Sequence, residues 1–317
     1  VDGALQGEHR KEKLDMELGI ALPASGASAS PEAIARIAAA AEGIGLDALW
    51  TYDRLLRPTE PIPMGGPGGP TMTPPPDWAV VYDPLETLTY AAARTSRIRL
   101  GTSVLDPLFQ NPVVLARRLA TLDQLSHGRL LVGIGQGWMA HEFTATGVPM
   151  KRRGAGFEEH LQAMRAVWGP DPVRFSGRFY RIPECEIGPK PVRPHGPQMV
   201  VGAASQAALE RAARLGLGLT LVMFSWDVLE ATINTFRSAA EDAGHDPRSL
   251  PIIVQVNGAI STEPTGNERT PLTGSVDQVA DDLARLEPLG ADHVFWAMTP
   301  DPEQQLRALE ALRARVG

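Results

Sequence analysis

Asp53 and Arg54 close the stretch GLDALWTYDR (45–54), setting a carboxylate beside a cation that cannot lose its proton in a protein. Spacing alone leaves two readings open: an ion pair that ends a strand, or a polar grip on a ligand. Tyr52, Asp53, His141 and Glu142 can move a proton, and His141 is the one that ordinarily titrates near neutrality. Two glycine-containing turns, GTSV (101–104) and GIGQGW (133–138), offer backbone that a flat ring can approach closely. The second is not the dinucleotide fingerprint, because its third glycine arrives one residue early. A further turn, Gly202, Ala203, Ala204 and Ser205, runs into a helix start, where free amides and the positive dipole end suit a phosphate. Ser205 can equally be a plain N-cap.

Such scattered groups act together only if the fold collects them. Short apolar runs predict strands over 17–22, 47–51, 98–104, 130–135, 198–201, 218–222, 252–256 and 293–297. Helical patterns alternate with them, over 31–43, 84–94, 112–125, 156–168, 206–215, 228–243, 276–286 and 302–316. Ser30 followed by Pro31 is a typical cap and first-turn pair. VRFSGRFYRI (173–182) reads as a hairpin turning at Ser176 and Gly177, and 54–77, dense in proline and glycine, reads as an irregular lid or binding loop. Eight strand–helix units predict an α/β fold, a (β/α)8 TIM barrel, rather than an open doubly wound sheet. Its chemistry would sit on the loops that follow the strands, where 54–77, Ser103, His141 and Ser205 all fall.

Composition narrows the function. The 317 residues are 43% hydrophobic and 21% charged, with a formal net charge of −7 that argues against nucleic acid as a partner. Lys151, Arg152 and Arg153 form a short basic run, read as a solvated helix start. The single cysteine, Cys185, permits no intrachain disulfide and suits a reducing, cytoplasmic setting. Flanked by Glu184 and Glu186, it is a poor nucleophile. No apolar run reaches the length of a membrane helix. Residues 1–15 read as a disordered leader and 16–317 as one domain. His141-Glu142 opens like a zinc motif but lacks the second histidine, so no metal is expected.

Taken in order, NPVVLARRLATLDQLSHGRLLVGIGQGW (111–138) and PLTGSVDQVADDLARLEPLGADHV (271–294) resemble the luciferase-like superfamily of flavin and coenzyme F420 oxidoreductases, specifically its F420-dependent branch. The resemblance covers nearly all of the chain from Met16 onward. It implies that Asp53 contacts the polar edge of the cofactor ring, and that Ser103 and Val104 form a non-proline cis peptide behind the ring. It also implies that Gln136 and Gly137 run along the ring, that His141 reaches cofactor or substrate, and that Gly202, Ala203, Ala204 and Ser205 hold the phosphate. His141 and Asp53 are then the catalytic candidates, and a homodimer is the expected assembly.

Two positions depart from the family pattern. Arg54 stands where many relatives have histidine, and Trp138 where sugar-phosphate dehydrogenases of the branch carry glutamate. Sugar-phosphate oxidation is therefore in doubt. Arg54 would bind an anion or polarise a carbonyl, with Trp78 and Trp138 also facing the substrate. The implied function is F420-dependent hydride transfer between the deazaflavin and a small molecule with a C=C, C=N or C=O bond, or an alcohol. An FMN-dependent monooxygenase and a non-catalytic F420-binding carrier are the alternatives.

Overall fold

Apolar runs too short for helices, each ended by glycine, proline or a polar cap, pair as parallel strands in the structure, a computed structural model describing residues 16–66, 68–266 and 268–317. The expected leader, 1–15, lies outside the described residues. The strands are β1 (Glu17–Ala21), β2 (Ala48–Thr51), β3 (Arg99–Thr102), β4 (Leu130–Ile134), β5 (Gln198–Gly202), β6 (Gly218–Val222), β7 (Ile252–Asn257) and β8 (His293–Ala297). They close in chain order, with β8 pairing back onto β1, into the (β/α)8 barrel that the alternation predicts.

The outer layer is α1 (Pro31–Gly43), α2 (Pro84–Ala92), α3 (Pro112–Leu125), α4 (Ala140–Thr146), α5 (Ala155–Trp168), α6 (Gln206–Arg214), α7 (Trp226–Asp242), α8 (Val276–Leu286) and α9 (Pro302–Val316). Most start where the sequence chemistry says they should. Ser30, Asp83, Asn111 and Asp301 each accept a first-turn amide, with proline just inside the helix. Ser275 and Gln278 form a capping box on α8.

Four local expectations are corrected. β3 stops at Thr102 rather than reaching Val104; the Ser103–Val104 peptide is cis, and the chain next bridges to the ladder at Leu105, opposite Ile134. The hairpin strands are Val173–Ser176 and Arg181–Cys185, with Ser176 opposite Arg181, so the turn is 177–180. Glu159 on α5 sets that turn by accepting the backbone N–H groups of Arg178, Phe179 and Tyr180. The loop over 54–77 is not wholly irregular: Ile62–Pro63 pairs with Thr71–Met72, and the Arg57 guanidinium donates to the carbonyls of Pro74 and Pro75. A short helix, α4, appears where a loop was expected.

The barrel interior decides where a ligand can go. Trp50 projects inward from β2, stacks on Phe295 at 4.4 Å between ring centroids, and donates from Nε1 to His293 Nε2 at 2.9 Å. Burial keeps His293 below its usual pKa, so the ring is neutral, with Nε2 accepting and Nδ1 directed at Glu17. Glu17 also pairs with Arg99, which donates on to Gln198. The indole has room because β1 and β3 present glycines: a Cβ on Gly19 would lie 2.8 Å from Trp50 Nε1, and one on Gly101 2.4 Å from the ring. Beyond this plug, Ser103 donates to Gln255 and Thr220 donates to Ser103, spanning the barrel between β3, β6 and β7.

Gly101→Ala should therefore overpack the interior and lower the unfolding free energy by about 1–3 kcal/mol. Urea denaturation reads this as an earlier midpoint at unchanged slope. A variant as stable as the parent would mean that the indole is free to move aside.

Candidate active site

Three carboxylates from different strand ends meet one guanidinium at the mouth. Asp53 follows β2, Asp106 follows β3, and Glu142 reaches in from α4 beyond β4. Arg54 Nη1 donates to Glu142 Oε2 at 2.8 Å, while Glu142 Oε1 accepts the Leu55 amide at 2.9 Å. Glu142 is 2% exposed, so this ion pair is buried. The guanidinium also lies over the Trp78 ring, 4.4 Å from its centroid, and 5.4 Å from that of Trp138. Successive residues on a helix point about 100° apart, so α4 turns Glu142 inward and leaves His141 exposed, without a hydrogen bond or ion pair among the described residues.

Crowding of like charge sets the electrostatics. Burial raises Asp106 to about 7, helped by the negative Glu142 and Asp53; Arg54 and the Gly137 amide pull the other way. Asp53 is raised to about 6 by burial and by Asp83 and Glu142, against the Asp106 amide and Arg54. The Asp106 carboxyl is wedged beside two glycines. An added Cβ would sit 3.2 Å from Oδ1 at Gly135 and 3.3 Å from Oδ2 at Gly137, whose φ of +67° itself favours glycine. Oδ1 is buried and makes no hydrogen bond. Tyr52 bonds to Ser25, and burial raises its pKa, which removes it from proton transfer near neutrality.

Beside the carboxylates, Val104 stands against bare backbone. Its methyl groups would lie 2.8 Å from a Cβ on Gly135, 3.4 Å from one on Gly133 and 3.5 Å from one on Gly202. A Cβ on Gly133 would also collide with the Thr102 carbonyl, and Thr102 Oγ1 bonds both the N–H and the C=O of Gly133. The result is a wall of peptide backbone with one valine packed on it. At the start of α6, Ser205 makes no side-chain cap bond and is exposed, as is Ala204; Gly202 and Ala203 are half-buried. Gln136 is partly committed, accepting the Gly154 amide at 2.9 Å and Arg211 at 3.4 Å.

The structure thus brings Asp53, Arg54, Trp78 and Trp138 into one cluster and sets Ser103, Val104, Gly137 and Gly202 at the same mouth. His141 stays on the rim. Trp50 and Trp296 are core side chains, and Trp226 packs under Arg285. Sequence reasoning missed Asp106. The signal was present but read as something else: Asp106 before Pro107 looks like the cap of a short helix, yet it makes no side-chain cap bond and turns its carboxyl into the site. Glu142 was noted only as a proton carrier, whereas it anchors Arg54. Lys190 is engaged with Asp171 and the Val167 carbonyl, away from the mouth cluster. Among the described residues, no group of three or more His, Cys, Asp or Glu is placed to hold a metal, and no helix is long and apolar enough to cross a membrane.

Comparison with known proteins agrees with the barrel fold. Residues 16–265 match the model of the luciferase-like monooxygenase family. An uncharacterized protein of Mycobacterium tuberculosis is 33% identical over 90% of this chain and 93% of its own length. An F420-dependent glucose-6-phosphate dehydrogenase of Kineococcus radiotolerans is 27% identical over 92% and 87%. The crystal structure of monooxygenase RslO1 from Streptomyces bottropensis superposes with a TM-score of 0.77 at 25% identity, covering 94% of this chain and 98% of that one.

Asp106 has a higher pKa folded than unfolded, so the folded chain binds more protons between about pH 4 and about pH 7 and loses stability as pH rises through that window. Asp106→Asn should stabilise the protein at about pH 8 by up to roughly 4 kcal/mol and change nothing below about pH 4. Thermal or urea unfolding across that range checks it; destabilisation at alkaline pH would show the carboxylate to be well satisfied where it lies.

Proposed function

The chain belongs to the luciferase-like monooxygenase family, and from that premise we propose that it is an oxidoreductase using coenzyme F420 to move hydride to or from a small organic molecule. The observation that carries this reading is the wall made where Val104 packs directly on the backbone of Gly133, Gly135 and Gly202, so closely that added Cβ atoms would crowd it. A surface of peptide planes and one valine, bordered by Asp53, suits the face of a flat ring with one polar edge. Asp53 would take that edge, Val104 and the glycine backbone the ring face, and the amides around Gly202, Ala203, Ala204 and Ser205 the phosphate. A bound deazaflavin supplies hydride at a ring carbon and does not readily activate oxygen.

The remaining work falls to this chain's own side chains. Trp78 and Trp138 meet edge to face at 6.2 Å and cover the guanidinium of Arg54, giving the substrate side an apolar wall that excludes water. Arg54 neutralises Glu142 instead of reaching for an anion, which weighs against a phosphorylated sugar as substrate. His141, exposed on the rim and unpaired, can give or take the proton at the substrate heteroatom. The relative from Kineococcus supports F420, since it aligns along nearly the whole barrel. The likeness to monooxygenase RslO1 favours a second reading, an FMN-dependent monooxygenase on the same frame.

Titration of the purified protein with F420 and with FMN, followed by ligand fluorescence, should show the tighter binding for F420. Preference for FMN would transfer the assignment to the monooxygenase, and F420 binding without turnover of any carbonyl, imine, enone or alcohol would indicate a carrier. If His141 handles the proton, His141→Gln should lower kcat by about 100-fold or more with cofactor affinity unchanged; an unaltered kcat assigns the proton to water.

A further inference from the structure

Among the described residues, Asp106 has no cation paired with it. Arg54 is the guanidinium its charge could reach, and Nη1 of Arg54 is held by Glu142. Its carboxylate neighbours add negative charge: Glu142 from α4 and Asp53 from the end of β2, with Asp83 from the α2 cap acting on Asp53 in turn; the Gly137 backbone amide favours the ionised form. One oxygen, Oδ1, is buried without a partner, against Gly135 and beside Val104, at the edge of the valine and glycine wall. An ionised carboxylate left so would carry an uncompensated desolvation penalty, whereas a neutral carboxyl there is a hydrogen-bond donor waiting for an acceptor. Asp53, by contrast, receives the Asp106 backbone N–H and the field of Arg54, both of which favour its charged form.

We infer that Asp106 is kept as a neutral carboxylic acid that donates a hydrogen bond to a carbonyl on the polar edge of the bound ring, while the ionised Asp53 accepts from the N–H next to it. The inference rests on the deazaflavin reading above. Flavin and deazaflavin rings share a pyrimidinedione edge in which C=O and N–H alternate, so a matched donor and acceptor read it as two carboxylates or two acids could not. The pair titrates as a unit, with Asp106 giving up its proton at about 7 and Asp53 at about 6. Binding should therefore weaken as pH rises past neutrality, about tenfold per pH unit once Asp106 is ionised. Asn at this position carries a permanent N–H donor and should bind without that dependence.

The test has two arms on the full chain, as wild type and as Asp106→Asn, with circular dichroism to confirm the fold. In the first, infrared difference spectroscopy of the protein without cofactor follows the protonated-carboxyl stretch against pH. The expected result is a band titrating at about 7 in wild type that Asp106→Asn lacks, leaving the lower-pH band of Asp53; identical carboxyl bands in the two proteins at about pH 7 overturn the proposal whatever the cofactor. In the second, F420 affinity is measured over the same range, each protein serving as control for titration of the ligand itself. The expected result is similar affinity at about pH 6 and tighter binding by Asp106→Asn, about tenfold or more, at about pH 8 to 8.5. Identical pH profiles overturn the donor role. Asp106→Leu, which removes the donor, should bind weakly at every pH, and wild-type affinity in that variant also overturns it. Failure of F420 to bind any of the proteins while the infrared band persists overturns the cofactor reading, and the donor role with it.

Discussion

An indole in the middle of a barrel is the constraint on which the rest is built. Trp50 occupies the interior because Gly19 and Gly101 withdraw their side chains, and its N–H is satisfied by a neutral His293 tied through Glu17 to Arg99. A buried tryptophan without that acceptor would leave a polar group unpaired, at a cost of about 1–3 kcal/mol. With it, the lower barrel is solid. The candidate site lies in the layer beyond, where Ser103, Thr220 and Gln255 form a polar bridge and Val104 faces backbone. Packing at one end of the strands thereby sets the depth of the site at the other.

The mouth follows the opposite logic. Where the lower barrel pairs its charges, the mouth sets three carboxylates around one guanidinium. Such an excess of buried acid lowers stability near neutral pH, and proteins tolerate that where function draws on the destabilised groups. The Arg54–Glu142 pair makes the excess bearable, but its main effect is geometric. It pins the start of the 54–77 loop to α4 and gives Trp78 a cation to lie against. A position where histidine would be expected in this family thus becomes a structural joint.

How much of this was legible depended on whether the cause was local. All eight barrel strands could be read, because a parallel strand buried on both sides announces itself as a short apolar run, as LLVGI and HVFWA do. Helix starts could be read because Ser30-Pro31 and Asn111-Pro112 carry their caps with them. The turn at 177–180 could not, since its shape is imposed by Glu159 from another element. Asp106 was hidden for the same reason: beside a proline it imitates a cap, and only the closed barrel brings Gly135, Gly137 and Glu142 around it. Asp53 and Val104 were recognised by likeness of motif, and their surroundings were not.

The bond from Arg57 to the carbonyls of Pro74 and Pro75 has a consequence for how such a site diversifies. It joins the two feet of the loop, making 58–73 a closed circuit that returns to nearly the point it left. Lengthening a closed circuit adds little entropy cost, since that term grows only with the logarithm of loop length. Insertions, deletions or new side chains beyond the staple can therefore accumulate without displacing Arg54 or Trp78. On the proposed function, substrate range and redox machinery would be free to drift at separate rates, so that descendants of one ancestral barrel change what they act on while retaining how they act.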